Sequence, residues 1–598
     1  MVHASCCHNE LRSIQGRVLG VVPVALPNSE QMALPIMRQL ATQVQPVPCN
    51  SWEQLISYFP QSRRKAYRLV LPSVFASSMT KADARINAFV KCERLEIVKK
   101  DGDPRMIQAR NRRFNLELGY YTRPIEKALY NLKDPHDQDH CLIAKGMNME
   151  ARGQALANAW AKYANPVSIS YDLSRWDMHC GMVMFLIMHQ FYLRTCPNLY
   201  LQFLLGFQKH NKCVTTLGIL YVVMYGVMSG DMTTALGNCV AVLVLVLAYR
   251  AKIRHLVLIS VDASARSSIR TLERLYAALT IRLKSGKRIK RLKLEQEILG
   301  VRQQIATLLE VPMECLTGIL SMYKSILKYP LRTRMLIANN PAWLRVTDDG
   351  DDHVVMVEKE VAPIVMETIE LWWTIYGHTL KVEGYTDQLH QVQFCQHQPF
   401  YQNGRYVMMP NPAKAIPKSL AVTGSYMQHP APYLKTVWNA RAILHQGQPI
   451  LGPLFYQLNR KLGNIPQLSA KARRRLLEGM DRGLAQTHQS SEIQETKPTP
   501  EERVMAWEMW GITPDEQIAL EIMDISLPVN VKEAKVLHRV GTGMVLSQTP
   551  QVKVSDVEQF KPRSQTSRTP VLKELDKLVK YFQETPVEEL PKYQDIIE

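Results

Sequence analysis

Leu344-Arg-Val-Thr-Asp-Asp-Gly-Asp-Asp-His-Val-Val-Met-Val-Glu358 is the stretch from which the rest of the chain is read. Behind its glycine come two acids, Asp351 and Asp352, and then a β-branched apolar run of the kind that forms a buried strand. Gly350 suits a tight turn in which the backbone visits φ > 0. The pattern predicts a hairpin with carboxylates at its tip, held stiffly by a strand in the core. Adjacent carboxylates repel each other, so a rigid turn that gathers them points to a neutralising cation. Hard oxygen donors suit Mg²⁺, with Mn²⁺ as a substitute, and paired ions of that kind drive phosphoryl and nucleotidyl transfer. Taken alone, the stretch also fits a solvated acidic turn, so the remaining sequence has to decide.

The chain has 598 residues, enough for several subdomains, and its 46% hydrophobic and 21% charged content is that of a folded protein. Its formal net charge of +19 favours a polyanionic partner, nucleic acid first and an anionic membrane second. The 11 cysteines form no CxxC pair, which suggests free thiols in a reducing cytosol. Met1–Arg12 does not read as a signal peptide. The longest apolar run, Cys239–Tyr249, is closed by Arg250 and Lys252 and is too short to span a bilayer. It reads as a buried helix, and no transmembrane segment is expected.

Three further stretches carry chemistry. Val167-Ser-Ile-Ser-Tyr171 alternates as a strand does, and Asp172-Leu-Ser-Arg-Trp-Asp177 follows at its end. Asp172 would sit at the strand terminus, with Asp177 about a turn further on and facing the same cavity. Ser229-Gly-Asp-Met-Thr-Thr234-Ala-Leu-Gly-Asn238 places a flexible Ser229-Gly230 loop ahead of a helix. Thr234 and Asn238, four apart, share one face of that helix and could hydrogen-bond a sugar hydroxyl. Upstream, Lys99-Lys100-Asp-Gly-Asp-Pro-Arg105-Met-Ile-Gln-Ala-Arg110-Asn-Arg-Arg113 reads as an extended basic ribbon, anchored by Ile107 and Phe114 and suited to phosphate oxygens. Ser62-Arg-Arg-Lys-Ala-Tyr-Arg68 is a basic cluster that fits a solvated helix face or an RNA contact equally well.

In this order, DxxxxD, SGxxxTxxxN and GDD behind a basic ribbon resemble the motif series of viral RNA-dependent RNA polymerases. The tombusvirus-like group of plus-strand RNA viruses is the nearest resemblance. Phe89-Val-Lys91-Cys-Glu93, Pro104-Arg105-Met-Ile-Gln-Ala-Arg110, Asn115-Leu-Glu-Leu-Gly119 and Phe394-Cys395 look like that group as well. The resemblance runs from about Arg63 to Lys418. It implies an α+β right hand of fingers, palm and thumb, with a helical insert in the palm. The implied division is an N-terminal region and fingers over 1–150, palm with a fingers segment over 151–250, and an insert over 251–341. Palm again over 342–400, a thumb over 401–486 and a partly disordered tail over 487–598 complete it.

By the same resemblance, Asp172 and Asp351 would ligate two Mg²⁺ ions, with Asp352 beside them. Asp177, Thr234 and Asn238 would recognise the ribose 2′-hydroxyl, and Ser229-Gly230 would lie near the templating base. Arg105 and Arg113, with Lys99 or Lys100, would grip the triphosphate. Lys381 looks like the general acid for the leaving pyrophosphate, and Phe394-Cys395 looks like the primer-grip strand. The implied activity is RNA synthesis on an RNA template, with template, product and NTPs as partners. A viral membrane-anchoring replicase protein would be a further partner, and the place of action host cytoplasm, peripheral to replication membranes. A reverse transcriptase and a catalytically silent RNA-binding protein are the alternatives.

Two features depart from the family pattern. Asn238 and Gly350 are 111 residues apart, which requires either a helical insert or a different third motif, such as Ile259-Ser-Val-Asp262. Asp348 and Asp349 stand where uncharged residues are usual, and would either ligate metal or cap the turn.

Overall fold

A computed structural model describes residues 3, 5–91, 102–285, 288–422, 430–480, 484 and 493–523. The strands, in chain order, are β1 (Ile86–Val90), β2 (Met106–Arg110), β3 (Lys133–Asp134), β4 (Asp137–Cys141), β5 (Pro166–Leu173) and β6 (His210–Thr215). They continue with β7 (Leu220–Met224), β8 (Leu344–Asp348), β9 (His353–Glu358), β10 (Leu380–Thr386), β11 (His397–Gln402) and β12 (Arg405–Pro410). Helices form most of the rest, so the class is α+β, in agreement with expectation.

The central sheet is antiparallel in the order β10-β5-β9-β8. Val167, Ile169, Val346, Val355 and Val357 face its core, as an alternating or fully apolar strand requires. Across this core runs one helix, Thr234–Val261, in which residues 236–250 are all buried. The apolar run read as Cys239–Tyr249 is therefore part of a 28-residue helix. By length and composition it could cross a membrane, but most of it is buried inside the protein. A second sheet, β2-β1-β6-β7, stands beside this core.

The segment 251–341 is helical, but its parts differ. Residues 251–261 complete the core helix. Asp262 then accepts from the Ala265 amide and opens the next helix, so the competing Ile259–Asp262 motif is a cap, not a cavity acid. Ala263–Ser285 and Arg288–Leu309 pack together as a hairpin. Leu316–Leu327 belongs to the core: Ile319, Met322, Tyr323 and Ile326 are fully buried, and Gly318 lets Ile375 approach.

Towards the C-terminus, β11 and β12 carry Phe400 and Met409 into a separate apolar cluster with Tyr433, Trp438 and Phe455, from helices Pro430–Leu444 and Leu451–Lys461. Asn411-Pro-Ala-Lys414-Ala-Ile-Pro-Lys418 carries two prolines and two lysines. It is a helix, Pro412–Leu420, because Asn411 caps it and Pro412 occupies the first turn, where its missing N–H costs nothing. Helix Ala470–Met480, capped by Ser469, touches the N-terminal helix Gln61–Ala76, in which Arg68 of the basic cluster pairs with Glu53. Within the polar stretch read as a tail, residues 493–523 contain two ordered helices. Pro500–Trp510 and Pro514–Glu521 each start with a complete capping box, and Arg503 bridges them to Glu521 through two 2.9 Å hydrogen bonds.

Candidate active site

The site starts from the β8–β9 hairpin. Asp348 pairs with His353, and the Asp349 amide donates to the Asp352 carbonyl at 2.9 Å, so Gly350 and Asp351 form the tip. Gly350 has φ +96°, the conformation expected of it. A side chain there would also crowd its neighbour, since a Cβ would lie 3.3 Å from that of Asn238. The 111 intervening residues thus return the chain to the helix it left, and the long separation does not displace the third motif.

Strand register brings in the next acid. β5 pairs with β9 through Ile169–Val355, and continuing that register sets Tyr171 against His353 and Asp172 beside Asp352. The Tyr171 and His353 rings indeed meet, 4.9 Å between centroids, and the tyrosine hydroxyl bonds the imidazole Nε2. Asp172, Asp351 and Asp352 are all exposed at the sheet's end. Behind Asp172 the chain turns through Arg175, at φ +48°, into the one-turn helix Trp176–His179 that carries Asp177.

Asp172, Asp177, Ser229, Thr234, Asn238, Asp351 and Asp352 line one cavity of about 550 Å³, with Arg105 also in its wall. Thr234 Oγ1 donates to the Met228 carbonyl at 2.7 Å, and the Gln108 amide donates to the Ser229 carbonyl at 2.7 Å. These bonds hold the Ser229-Gly230 loop against β2. Gly230, at φ +122°, approaches the Gln108 backbone closely, which a side chain would obstruct. The Asn238 side chain favours the charged form of Asp177, while its own amide oxygen, in a residue only 7% exposed, has no partner.

The electrostatics follow from crowding. Asp177 is pushed up to about 7, first by burial and then by the charge of Asp351, against the pull of Arg105 and Asn238. Asp352, though open to solvent on the cavity side, is raised by the protein that surrounds and desolvates it and by the charges of Asp351 and Asp349. Negative charge at this end of the cavity therefore exceeds what the protein's own cations neutralise. Among the described residues no three His, Cys, Asp or Glu side chains are gathered so as to hold a metal ion by themselves. Open carboxylates on one wall instead suit a hard cation that completes its shell with water and phosphate oxygens.

The extra acids lie outside the cavity. Asp348 is fully buried beside Cys239, and burial raises its carboxyl well above the usual range. Asp349 is caged by Lys145 at 2.9 Å and Arg152 at 2.6 Å. Neither is placed to ligate a cation in the cavity.

Other expected site residues are not brought to the cavity. The Arg113 guanidinium is buried on Glu117 at 3.2 Å, with Ser77 and Asp83 as further partners, and so is not available to a triphosphate. Arg110 is likewise held by Asp231 at 2.7 Å. The ribbon faces the other way from expectation: Gln108 and Arg110 point inward and Ile107 is half-exposed. Lys99 and Lys100 lie outside the described residues. Lys381 is exposed on β10, directly opposite Asp172 in the ladder and hence on the same face, but it does not line the cavity. Phe394-Cys395 is not a strand. Cys395 and Gln396, at φ +52° and +63°, form the turn into β11, because the Phe394 and His397 backbones bond each other across it.

The cavity also holds residues that spacing did not single out: Arg17, Gln108, Arg175 and Gln396, besides Lys91. Arg175 lies inside the DxxxxD stretch, where its charge is legible; Arg17 sits in a helix with no chemical signature. Against the far side of the hairpin lies a second cavity of about 410 Å³, sharing Asp352 and Gln396 and lined by Lys145, Arg152, Lys414, Lys418 and Arg441.

The family described as viral RNA dependent RNA polymerase matches residues 1–260 and 331–529. The chain belongs to this family. Its relatives are of the tombusvirus-like kind. It is 26% identical over 488 residues to the RNA-directed RNA polymerase of Tobacco necrosis virus (strain A), covering 79% of this chain and 54% of that protein. It is 24% identical over 540 residues to the protein of the same name from Cymbidium ringspot virus, covering 87% and 54%. Against that of Tomato bushy stunt virus (strain Cherry) it is 24% identical over 538 residues, again 87% and 54%. The chain spans about half the length of the curated relatives it matches. The family match passes over residues 261–330, which hold the helical hairpin.

Proposed function

We propose that the chain is an RNA-directed RNA polymerase that copies a plus-strand viral RNA from NTPs. The observation that carries this reading is one cavity with three open carboxylates at one wall and Arg17, Lys91, Arg105 and Arg175 in the others. In this reading the sheet β10-β5-β9-β8 is the palm, the sheet β2-β1-β6-β7 with the N-terminal helices the fingers, and residues 411–523 the thumb. The contact between helices Ala470–Met480 and Gln61–Ala76 would close fingers onto thumb.

Asp172 and Asp351 would hold the Mg²⁺ ions, with Asp352 adding negative charge beside them. Such ions, when bound, lower the pKa of an attacking 3′-hydroxyl and stabilise the charge on the leaving pyrophosphate. Arg105 and Arg175 would receive the triphosphate, since guanidinium forks match phosphate oxygens. Asp177 and Asn238 would read the ribose. The unpartnered Asn238 oxygen is a buried acceptor that a 2′-hydroxyl would satisfy and a deoxyribose would leave bare. Lys381, on the face of Asp172, would donate a proton to the departing pyrophosphate. The basic second cavity would hold the backbone of the growing strand, whose end then meets Asp352 and Gln396.

The test is primer extension on an RNA template with the purified chain, NTPs against dNTPs, and Mg²⁺, Mn²⁺ or EDTA. The expected result is metal-dependent incorporation of NTPs, with dNTPs strongly disfavoured. Preferred use of dNTPs would favour a reverse transcriptase, and RNA binding without incorporation would favour a silent binding protein.

A further inference from the structure

The hairpin of helices Ala263–Ser285 and Arg288–Leu309 does something that no part of the catalytic cavity requires. Its base is anchored: Ile269, Ile305, Ala306 and Leu309 are buried in the main core. Further out, the two helices hold each other through Leu279, with Leu272, Leu294 and Ile298 half-buried around it. Beyond that seam, among the described residues from Thr280 to Lys293, none is buried. At about 1.5 Å per residue, the end of the first helix stands roughly 24 Å beyond Ile269.

Composition of the projecting part is lopsided. Between Ala263 and Leu309 there are eleven Lys or Arg against three Glu, a net +8 out of the chain's +19. Thr280–Lys293 contains seven Lys or Arg, no acid, and four Ile or Leu. Large aliphatics lie on the outside: Leu292 is 68% exposed, Leu299 58% and Leu275 46%. Leu292 and Leu299 are seven apart and so share one stripe of their helix. A solvated basic face has no use for exposed leucines, and a phosphate backbone gains little from them, because nucleic-acid grooves stack bases on aromatic rings. An anionic bilayer surface uses both, taking aliphatics into the acyl boundary and cations among the headgroups. Nor does any described residue of the hairpin line the catalytic cavity or the basic cavity beside it.

We propose that this hairpin is a docking surface for an anionic phospholipid bilayer. Lys284 and Lys293 near its end meet the headgroups, and the Leu292–Leu299 stripe inserts beneath them. Because the family match passes over this segment, the surface is an addition to the shared polymerase body.

The experiment is co-flotation of the full chain with phosphatidylcholine vesicles, with and without phosphatidylserine. Recovery is expected only with phosphatidylserine present. Leu292→Asp with Leu299→Asp should weaken that recovery at least about tenfold, as should Lys284→Glu with Lys293→Glu, with melting curves unchanged. If the aspartate pair does not fold, Leu292→Ser with Leu299→Ser replaces it. Equal recovery with and without phosphatidylserine, or no recovery with either, would overturn the proposal. So would unchanged flotation of the leucine variants together with weakened RNA binding by the glutamate pair, which would make the hairpin an RNA contact.

Discussion

Ahead of Gly350 stand Asp348 and Asp349, behind it Asp351 and Asp352, and the two pairs share a side chain but not an environment. The first pair is held by the protein: Asp348 is fully buried, and Asp349 lies between Lys145 and Arg152 in the wall of the second cavity. The second pair faces the cavity, and the charge of Asp351 lifts both Asp352 and Asp177. A carboxylate whose charge is satisfied by the fold has none to offer a ligand; one left in the company of its own kind does. The turn at Gly350 separates a structural half of the hairpin from a functional half.

The comparison can be broken first from the structural side. Arg152→Ala removes one wall of the Asp349 cage and deprives a buried carboxylate of its 2.6 Å guanidinium partner. Thermal or urea unfolding should show a loss of about 3 kcal/mol, and primer extension should weaken as well, because Arg152 also lines the basic cavity. Gly350→Ala tests the divide itself. It forces a Cβ at φ +96° towards Asn238 and should cost about 1–2 kcal/mol, with weakened catalysis because Asp351 shifts. Unaltered stability would mean that the turn is not strained in the way described.

On the functional side, Asn238→Ala should lower discrimination between NTP and dNTP by about tenfold, read as the ratio of kcat/KM values. The smallest effect concerns pH. Asp177 holds its proton up to about 7 in the folded chain, whereas an ordinary aspartate releases it near 4. Folding therefore favours the protonated form, so this group's contribution is greatest at low pH and is lost as pH rises towards 7. Without added metal, Asp177→Asn should flatten part of the fall in melting temperature across that range. Parallel curves for variant and wild type would contradict the assignment.

How much of this could be read from the chain depended on the range of the interaction. DxxxxD, SGxxxTxxxN and GDD each set short-range geometry, a strand end, a helix face and a turn, and all three meet in one cavity. Burial of charge was not legible. Arg113 pairs with Glu117, four residues on, but its further partners Ser77 and Asp83, some thirty residues earlier, and the burial they bring were not legible. Asp349 looked like a metal ligand for the same reason, its partners Lys145 and Arg152 being about two hundred residues away. In the segment 251–341, helical periodicity revealed helices but not which of them faced the core. Leu316–Leu327 proved integral and the two helices before it protrude.

The division at Gly350 is tested most directly by two single variants assayed together, Asp351→Asn and Asp349→Asn, each for primer extension with Mg²⁺ and for thermal unfolding. Asp351→Asn should melt as the wild type does and incorporate no nucleotide. Asp349→Asn should melt earlier and, per folded molecule, incorporate nearly as much as wild type. Sustained incorporation by Asp351→Asn, or its complete loss in folded Asp349→Asn, would contradict the account.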